Sequence, residues 1–265
     1  MMRIAIATEQ EYLEKGWKED NVLRIKLVSL LRNEGISFPE SNVVIIDWRD
    51  RLINPHTFNA IFISSTWNAV DFPNEFLEWL NNCESDGTAR IINCSEIIAK
   101  AFDKKNYFQE LASVLDKQNI RGKLIPTYFT SPAYQGVSLT EIRSFFKKSD
   151  FEAKELVLKP RISADGKDLS RIKLDGRSDD AIEAEIIQAL KKTKVKSSGG
   201  MIQPLIDTIE TGSDHGEYQL LFLNGKFSHA NVKPPGFEKL PDGMNEFSEF
   251  IADYFFKKYN SGHVS

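Results

Sequence analysis

The sequence is poor in cysteine, in long apolar runs and in excess charge of either sign. Its 265 residues include two cysteines, Cys83 and Cys94, which are too few for a disulfide framework or for a zinc site made of thiolates alone. We therefore expect two reduced, buried thiols. No apolar run approaches the roughly 18 residues that a membrane span requires, and the N-terminus lacks the pattern of a secretory signal. These absences predict a soluble, cytoplasmic protein without a membrane partner.

The charge balance also narrows the class of protein. Lys and Arg total 34 and Asp and Glu total 38, so the formal net charge is -4. A nucleic-acid-binding domain usually carries a basic excess on one face, and we therefore expect no nucleic-acid partner. With 41% hydrophobic and 11% aromatic residues, the composition is that of an ordered globular protein. The length predicts one large or two small domains.

Residues 1–98 alternate strand-like and helix-like segments. Leucines at positions 23, 27, 30 and 31 have the spacing of an amphipathic helix. Short apolar segments with the length of buried strands occur at residues 3–7, 43–46, 59–63 and 90–92. Strands separated by helices favour βαβ crossovers. We predict an N-terminal α/β domain with an open, mainly parallel sheet.

Residues 99–265 have a different pattern. Helices are predicted at residues 105–115, around 142–146, at 179–192 and at 245–259, and strands at 155–158 and 201–202. The Asn224-Gly225 step predicts a hairpin between strands at 217–223 and 226–232, because both turn positions tolerate positive φ. Residues 191–200 hold four lysines and end in Ser-Ser-Gly-Gly, which we interpret as a surface connection.

The most informative motif is the segment from Leu158 to Lys167, which reads LKPRISADGK. A lysine at the end of a buried strand, followed by small and flexible residues, can place an ammonium and several backbone N–H groups around phosphate oxygens. The alternative is an ordinary strand-to-turn connection whose lysine is solvated. Short glycine-containing loops are common, so this motif needs support from its context.

Other motifs supply that context in a fixed order along the chain. Asp103-Lys104-Lys105 precedes a helix, Gln203-Pro204 interrupts an apolar strand, and Glu217 opens the predicted hairpin. In the first domain, Ser65-Thr66-Trp67-Asn68 precedes a helix. This ordered set resembles the ATP-grasp superfamily, in particular its glutathione-synthetase-like branch and the cyclo-ligases of cycloserine biosynthesis. The resemblance covers nearly all of the chain.

The resemblance implies a fold and a domain division. Residues 1–98 would form the domain that precedes the ATP-grasp domain, and residues 99–265 a two-lobed α+β ATP-grasp domain. Its central lobe would span about 105–200, and residues 201–265 would form a partial C-terminal lobe. The family normally continues past the helix at 245–259 into strands whose acidic side chains hold magnesium. This chain ends at Ser265, so we expect a shortened C-terminal lobe.

The resemblance also implies roles for particular residues. Lys105 and Lys159 would reach the nucleotide phosphates, while Ser163, Ala164 and Gly166 would form a mobile loop over them. Alternatively, Lys104 and Lys105 are a solvated helix start and the loop is a plain turn. The remaining assignments are to the adenine hinge (Gln203, Pro204 and Leu205), an acidic position (Glu217) and the substrate pocket (Trp67, Ser228, His229 and Lys233).

Several of these assignments have simpler alternatives. Gln203 would otherwise cap a strand edge, Glu217 would be an exposed hairpin carboxylate, and Trp67 would be a core aromatic residue. A lone histidine on a strand, such as His229, is more often a structural hydrogen-bonding group. Nearby carboxylates are clustered at Asp207, Glu210, Asp214 and Glu217, but none of them is identifiable as a magnesium ligand from the sequence.

The resemblance implies an ATP-dependent ligase that joins a carboxylate to an amine, or cyclises onto a hydroxyl or ureido group, through an acyl phosphate. ATP and Mg²⁺ would be required, and the partners would be small amino-acid-like carboxylate and amine substrates. The first alternative is a nucleotide-binding protein without turnover, and the second is a plain α/β interaction module. The sequence leaves the oligomeric state open, a homo-oligomer included.

Overall fold

The computed structural model describes residues 2–118, 124–132, 137–149, 151, 153–164, 166–206, 217–223 and 226–233. Within these ranges, the side chains of residues 115–118, 193, 217–223 and 226–233 are not described. The described chain forms two compact units that divide at residue 113. We call the described residues up to 113 unit 1 and those from 114 onward unit 2. The predicted division at residue 98 stays a prediction.

Unit 1 is built around a parallel sheet, as the alternating pattern predicted. Its strands are β1 (Ile4–Thr8), β2 (Val43–Asp47), β3 (Ala60–Ile63) and β4 (Arg90–Ile92). They lie in the order β2-β1-β3-β4, and every pairing is parallel. The predicted segments agree with these bounds to within one residue. Parallel strands need crossover connections, and the segments between them provide these.

Two hydrophobic cores form on opposite faces of this sheet. The unit contains α1 (Gln10–Lys15), α2 (Lys18–Asn33), α3 (Pro73–Glu84) and α4 (Ser95–Phe102), and α5 (Lys104–Gln118) begins in it. Because side chains alternate along a strand, Ile4 and Ile6 of β1 join a core with α2, while Ala5 and Ala7 join a core with α3. The central strand is consequently buried along its whole length.

Unit 2 contains a four-stranded antiparallel sheet. Its strands are β5 (Tyr128–Phe129), β6 (Glu155–Pro160), β7 (Ser170–Lys173) and β8 (Gly200–Pro204), in the order β5-β8-β6-β7. The helices are α6 (Leu139–Lys148), α7 (Asp179–Leu190) and α8 (Thr193–Ser198). Residues of α6 and α7 share a hydrophobic core with Leu156, Leu158 and Ile202 of the sheet. An amphipathic helix pair thus covers one face of the sheet.

The predicted hairpin is confirmed in its strands. β9 (Glu217–Leu223) pairs with β10 (Lys226–Lys233) in antiparallel register, and the register shifts between Phe227 and His229. Asn224 and Gly225, which predicted the turn, lie outside the described residues. The predicted helix at 245–259 and the carboxylates Asp207, Glu210 and Asp214 also lie outside them.

Two expectations from the sequence are wrong. The interval 191–200 is more than a surface connection, because it contains α8, buries Val195 completely and enters β8 at Gly200. The prediction rested on the lysine-rich composition of this interval and gave no weight to its single large apolar side chain, Val195, which packs in the core. Cys94 is exposed, whereas Cys83 is buried. Cys94 lies at the N-cap of α4, while Cys83 lies on the face of α3 that packs against the sheet.

Within the part of the chain that the structure describes, no helix combines the length and the apolar character needed to cross a bilayer.

Candidate functional site

Lys159 lies near the end of β6 on the face of the sheet that points away from α6 and α7. Leu156 and Leu158 are buried in the helix-covered core, and side chains alternate along a strand, so Val157 and Lys159 occupy the other face. Lys159 is partly buried and stands opposite Met201 of β8. The last pair between β6 and β7 joins Leu158 to Ser170. Lys159 follows this pair, so it lies next to the start of the loop that connects the two strands.

The loop between β6 and β7, residues 161–169, contains the residues predicted to cover phosphate. We call it the β6–β7 loop; Asp165 within it lies outside the described residues. The Lys167 N–H donates to the Ala164 carbonyl at 3.2 Å, and the Leu169 N–H donates to the Gly166 carbonyl at 3.1 Å. Gly166 has a φ of 66°, a conformation that glycine adopts readily.

Two backbone N–H groups of this loop make no hydrogen bond to a described residue. No acceptor among the described residues receives a hydrogen bond from the N–H of Ala164 or Gly166. The hydroxyl of Ser163 donates to the Pro160 carbonyl at 3.3 Å. N–H groups without acceptors, in a loop that follows a lysine along the chain, suit an anion. Phosphate binding by Lys159, Ser163, Ala164 and Gly166 stays a prediction.

The proposed adenine hinge follows the buried strand β8. Gln203 is only 5% exposed, and its Nε2 donates to Thr127 Oγ1 at 2.8 Å. This contact agrees with the alternative in which its side chain ties a strand edge. Pro204 pairs with Leu156, and the Leu205 N–H donates to the Glu155 carbonyl at 2.8 Å. Any backbone contact of adenine with Leu205 would therefore use its carbonyl group.

The hairpin brings four predicted residues into one pair of strands. Glu217 at the start of β9 is in register with Lys233 at the end of β10. His229 pairs with Leu221, and Ser228 lies where the register shifts. The side chains of these residues are outside the described part of the chain, so their roles in binding stay predictions.

Lys105 is the second residue of α5. Its N–H donates to Asp103 Oδ1 at 3.0 Å, so Asp103 caps the helix in the usual manner. This geometry explains the helix start that the sequence predicted. Lys105 belongs to unit 1 and Lys159 to unit 2, and a shared role at one triphosphate stays a prediction.

A polar cluster that the sequence did not reveal lies at the carboxyl edge of the parallel sheet in unit 1. The hydroxyl of Thr8 donates to the Ser65 carbonyl at 3.3 Å, and Ser65 Oγ donates to Asp20 Oδ1 at 2.9 Å. Glu9 Oε2 accepts from the Asn68 N–H at 2.6 Å. Thr8, Glu9, Asp20 and Ser65 are all buried.

This cluster lies at the point where the order of the strands in the sheet reverses. From β1 the strand order proceeds to β2 on one side and to β3 on the other. Ligands of open α/β sheets bind outside the carboxyl ends of strands at such a point. The signal in the sequence was available, since Glu9 and Ser65 each lie two residues after the end of a predicted strand. Their convergence depended on the strand order.

A polar cleft of about 520 Å³ opens at the same edge of unit 1. Arg49 lies over the ring of Phe72 at 3.6 Å from its centroid and pairs with Glu75 at 3.4 Å. The residues that line the cleft include Asp47, Arg49, Arg51, Asn68 and Glu75. Trp67, predicted to line a substrate pocket, is 45% exposed at the start of the adjoining 3₁₀ turn. This exposure contradicts the alternative of a core residue.

No group of three or more His, Cys, Asp or Glu side chains in the described ranges is arranged to hold a metal ion. The described residues therefore do not by themselves make a magnesium site. Magnesium stays a prediction.

The fold defines a class of protein. An α/β unit with a parallel sheet, followed by an antiparallel sheet with helices on one face, matches solved ATP-grasp structures. The structure of a RimK-domain ATP-grasp protein from Sphaerobacter thermophilus aligns over 95% of this chain and 81% of its own, with a TM-score of 0.51 and 12% identity. The chain has the ATP-grasp fold, and the resemblance seen in the sequence is confirmed.

The chain is also similar to proteins whose names refer to D-cycloserine synthesis. Residues 4–93 match the family described as the N-terminal domain of D-cycloserine synthetase DcsG. The crystal structure of D-cycloserine synthetase DcsG aligns over 98% of this chain and 82% of its own, with a TM-score of 0.63 and 21% identity. The cycloserine biosynthesis protein DcsG of Streptomyces lavendulae is 27% identical over 201 residues, which cover 75% of this chain. The match spans 59% of that relative's length.

Proposed function

We propose that the chain is an ATP-dependent ligase that activates a small amino-acid-like carboxylate as an acyl phosphate. The observation that carries the proposal is the β6–β7 loop, whose open N–H groups at Ala164 and Gly166 follow Lys159 in an ATP-grasp fold. The relatives named for D-cycloserine synthesis support a substrate derived from an amino acid.

The proposed reaction has two steps. A carboxylate oxygen attacks the γ-phosphorus of ATP, the bond from that phosphorus to the bridging oxygen breaks, and ADP leaves. An amine nitrogen then attacks the acyl carbon, phosphate leaves with the electron pair of the C–O bond, and the nitrogen loses a proton. An internal hydroxyl or ureido group in place of the amine would give a cyclic product.

The residues of this chain would act mainly through charge and position. The Lys159 ammonium would offset charge on the triphosphate, and the N–H groups of the β6–β7 loop would bind phosphate oxygens. Preorganised donors of this kind stabilise charge that develops in the transition state. Lys105 would add a second positive charge. The cleft at the carboxyl edge of unit 1, with Arg49 and Arg51, offers guanidinium groups that suit a substrate carboxylate.

ATP binding is the first test. We expect ATP to raise the melting temperature of the wild-type protein by mass action and Lys159→Ala to abolish most of that rise. Lys173→Ala, which removes an exposed lysine from the neighbouring strand β7, is the matched control and should leave the rise unchanged. An equal rise in all three proteins would place the nucleotide elsewhere.

Turnover is the second test. Phosphate release is followed with ATP, magnesium and a library of amino acids and amines, and product masses are determined. We expect release that depends on one carboxylate substrate and is lost in Lys159→Ala. A rise in melting temperature without release across the library would instead support the alternative of a nucleotide-binding protein without turnover. No response to ATP in a folded protein would favour the interaction module.

A further inference from the structure

The β6–β7 loop is held by contacts from one short helix. The Lys194 N–H in α8 donates to Asp168 Oδ2 at 2.7 Å, and Lys192 Nζ donates to the Leu169 carbonyl at 3.3 Å. At the other end of the loop, the Ile162 N–H reaches Ser198 Oγ at 3.5 Å, and the Arg161 N–H donates to the Gly199 carbonyl at 3.0 Å. Helix α8 and its flanking residues therefore contact both ends of the loop.

Asp168 caps α8 from a distant position in the sequence. The helix has Lys192 at its N-cap, and the side chain of that residue does not cap the helix N–H groups. The first N–H groups of a helix lack partners within the helix, and the Asp168 carboxylate satisfies one of them. Asp168 does so with a φ of 61°. Asp and Asn tolerate this left-handed conformation better than other residues with a side chain do.

Helix α8 is packed against the rest of unit 2 by a buried side chain and a close turn. Val195 is completely buried in the core that α6 and α7 form with the sheet. Gly199 follows the helix with a φ of 85°, and a Cβ atom there would lie 2.7 Å from the Thr130 carbonyl oxygen. The chain can make this close turn into β8 only with glycine. A side chain that caps α8 is thus fixed with respect to the sheet that bears Lys159.

We infer that Asp168 is a positioning residue for nucleotide binding, because its bond to α8 holds the β6–β7 loop in the conformation that presents the Ala164 and Gly166 N–H groups. The inference rests on the proposed function for its ligand, ATP. The loop spans nine residues, and ordering a free loop costs conformational entropy. A loop already anchored at both ends loses less entropy when it binds phosphate, so its affinity is higher.

Three substitutions separate the cap from the backbone conformation. Asp168→Ala removes the acceptor and disfavours the left-handed backbone. Asp168→Gly removes the acceptor and leaves that backbone conformation accessible, and Asp168→Asn keeps an oxygen acceptor and tolerates the conformation. We expect ATP binding, measured by calorimetry on the full chain, to weaken about five- to tenfold in the Ala and Gly variants. The Asn variant should bind at least as well as wild type, since it also removes a negative charge near the triphosphate.

A second measurement needs no nucleotide. The N–H groups of Lys167 and Leu169 donate hydrogen bonds within the loop, so their hydrogen exchange in the free protein, relative to the unfolded chain, should be faster in the Ala and Gly variants and at the wild-type rate in Asp168→Asn. Asp175→Ala removes an exposed carboxylate from the next turn and controls for charge; it should change neither measurement. If the Ala variant failed to fold, the Gly and Asn proteins would decide.

The outcomes distinguish the inference from the function on which it rests. If wild type binds ATP and the Ala and Gly variants bind it equally well, the positioning role of Asp168 is wrong and the proposed function stands. If wild type binds no ATP, the proposed function fails. Unchanged hydrogen exchange of the Lys167 and Leu169 N–H groups in the Ala and Gly variants would overturn the anchoring itself.

Discussion

Units 1 and 2 use their sheets in different ways. The parallel sheet of unit 1 is covered on both faces, so its polar groups collect at one edge, where Glu9, Ser65 and Asn68 meet. The antiparallel sheet of unit 2 has α6 and α7 on one face, and Lys159 uses the other. Chemistry in unit 1 is limited to the ends of strands, whereas in unit 2 it can also occupy a sheet face.

The difference follows from how strands are connected. Parallel strands require crossovers, and these place helices on both sides of the sheet. Antiparallel strands can be joined by a loop that stays at one end, as β6 and β7 are. The β6–β7 loop therefore lies next to the last residues of β6, including Lys159 and Pro160, without leaving the sheet.

The two cysteines offer the largest contrast in rate within unit 1. Burial raises the pKa of the Cys83 thiol to about 12, while Cys94 is exposed. Because the thiolate is the nucleophile, we expect iodoacetamide at pH 8 to alkylate Cys94 at least roughly a hundredfold faster than Cys83. Peptide mass spectrometry over time measures both rates.

The same pKa shift predicts a dependence of stability on pH. The folded protein holds the Cys83 proton more tightly than the unfolded chain, whose thiol has its ordinary pKa of 9.0. The free energy of unfolding should therefore fall as pH rises from about 9 toward 12, and Cys83→Ala should reduce this slope.

Equal labelling of both cysteines in the folded protein would contradict the labelling prediction and would show that the core of unit 1 opens readily.

Substitution of one glycine in each unit would compare how well the two backbones accept a side chain. Gly199 in unit 2 and Gly87 in unit 1 both have positive φ. An added Cβ atom would lie 2.7 Å from a backbone oxygen at Gly199, whereas at Gly87 it would meet open space. We expect Gly87→Ala to lower the free energy of unfolding by about 1–2 kcal/mol. Gly199→Ala should cost more, about 3 kcal/mol or above, because it adds a steric clash.

Urea unfolding would measure the loss in the free energy of unfolding for each variant. Hydrogen exchange of the folded variants would show which unit is destabilised. Equal losses for the two glycines would mean that the chain around Thr130 moves aside at little cost. The contrast between a rigid turn before β8 and an open turn in unit 1 would then be wrong.

Two ion pairs should give the smallest effects. Arg171 pairs with Glu155 across β7 and β6 at 2.7 Å, and Arg49 pairs with Glu75 at 3.4 Å in unit 1. Surface pairs contribute about 1 kcal/mol or less, so Arg171→Gln should change stability within that limit. Arg49 also lies over Phe72, and Arg49→Gln should cost about 0.5–1 kcal/mol more.

Salt provides the control for this comparison. The loss in Arg171→Gln should shrink between low salt and about 1 M salt because exposed charges are screened. The part of the Arg49 effect that comes from packing on Phe72 should persist. A loss that is larger for Arg171 than for Arg49 would contradict this order.

Much of the fold followed from local patterns in the sequence. The four strands of unit 1 were predicted to within one residue because short apolar segments alternate there with helical ones. The position of Lys159 at the end of a buried strand was also correct, since Leu156 and Leu158 mark the buried face. The strands of the hairpin at 217–233 followed from its central Asn-Gly step.

The missed features depend on contacts between distant segments. The polar cluster of Glu9, Asp20 and Ser65 forms only because β1 and β3 are neighbours in the sheet. Asp168 caps a helix that begins 25 residues later, and the sequence carries no local sign of that bond. Cys94 and Cys83 have similar neighbours in composition, but only Cys83 lies on the face of its helix that packs against the sheet.

The sequence by itself determined the elements and their buried faces, because periodicity and turn residues act over a few positions along the chain. Tertiary structure alone decided which polar groups meet, both in the cluster at the edge of the parallel sheet and in the contacts between α8 and the β6–β7 loop. Those contacts join segments that are far apart in the chain, and their geometry exists only after the strands have taken their order.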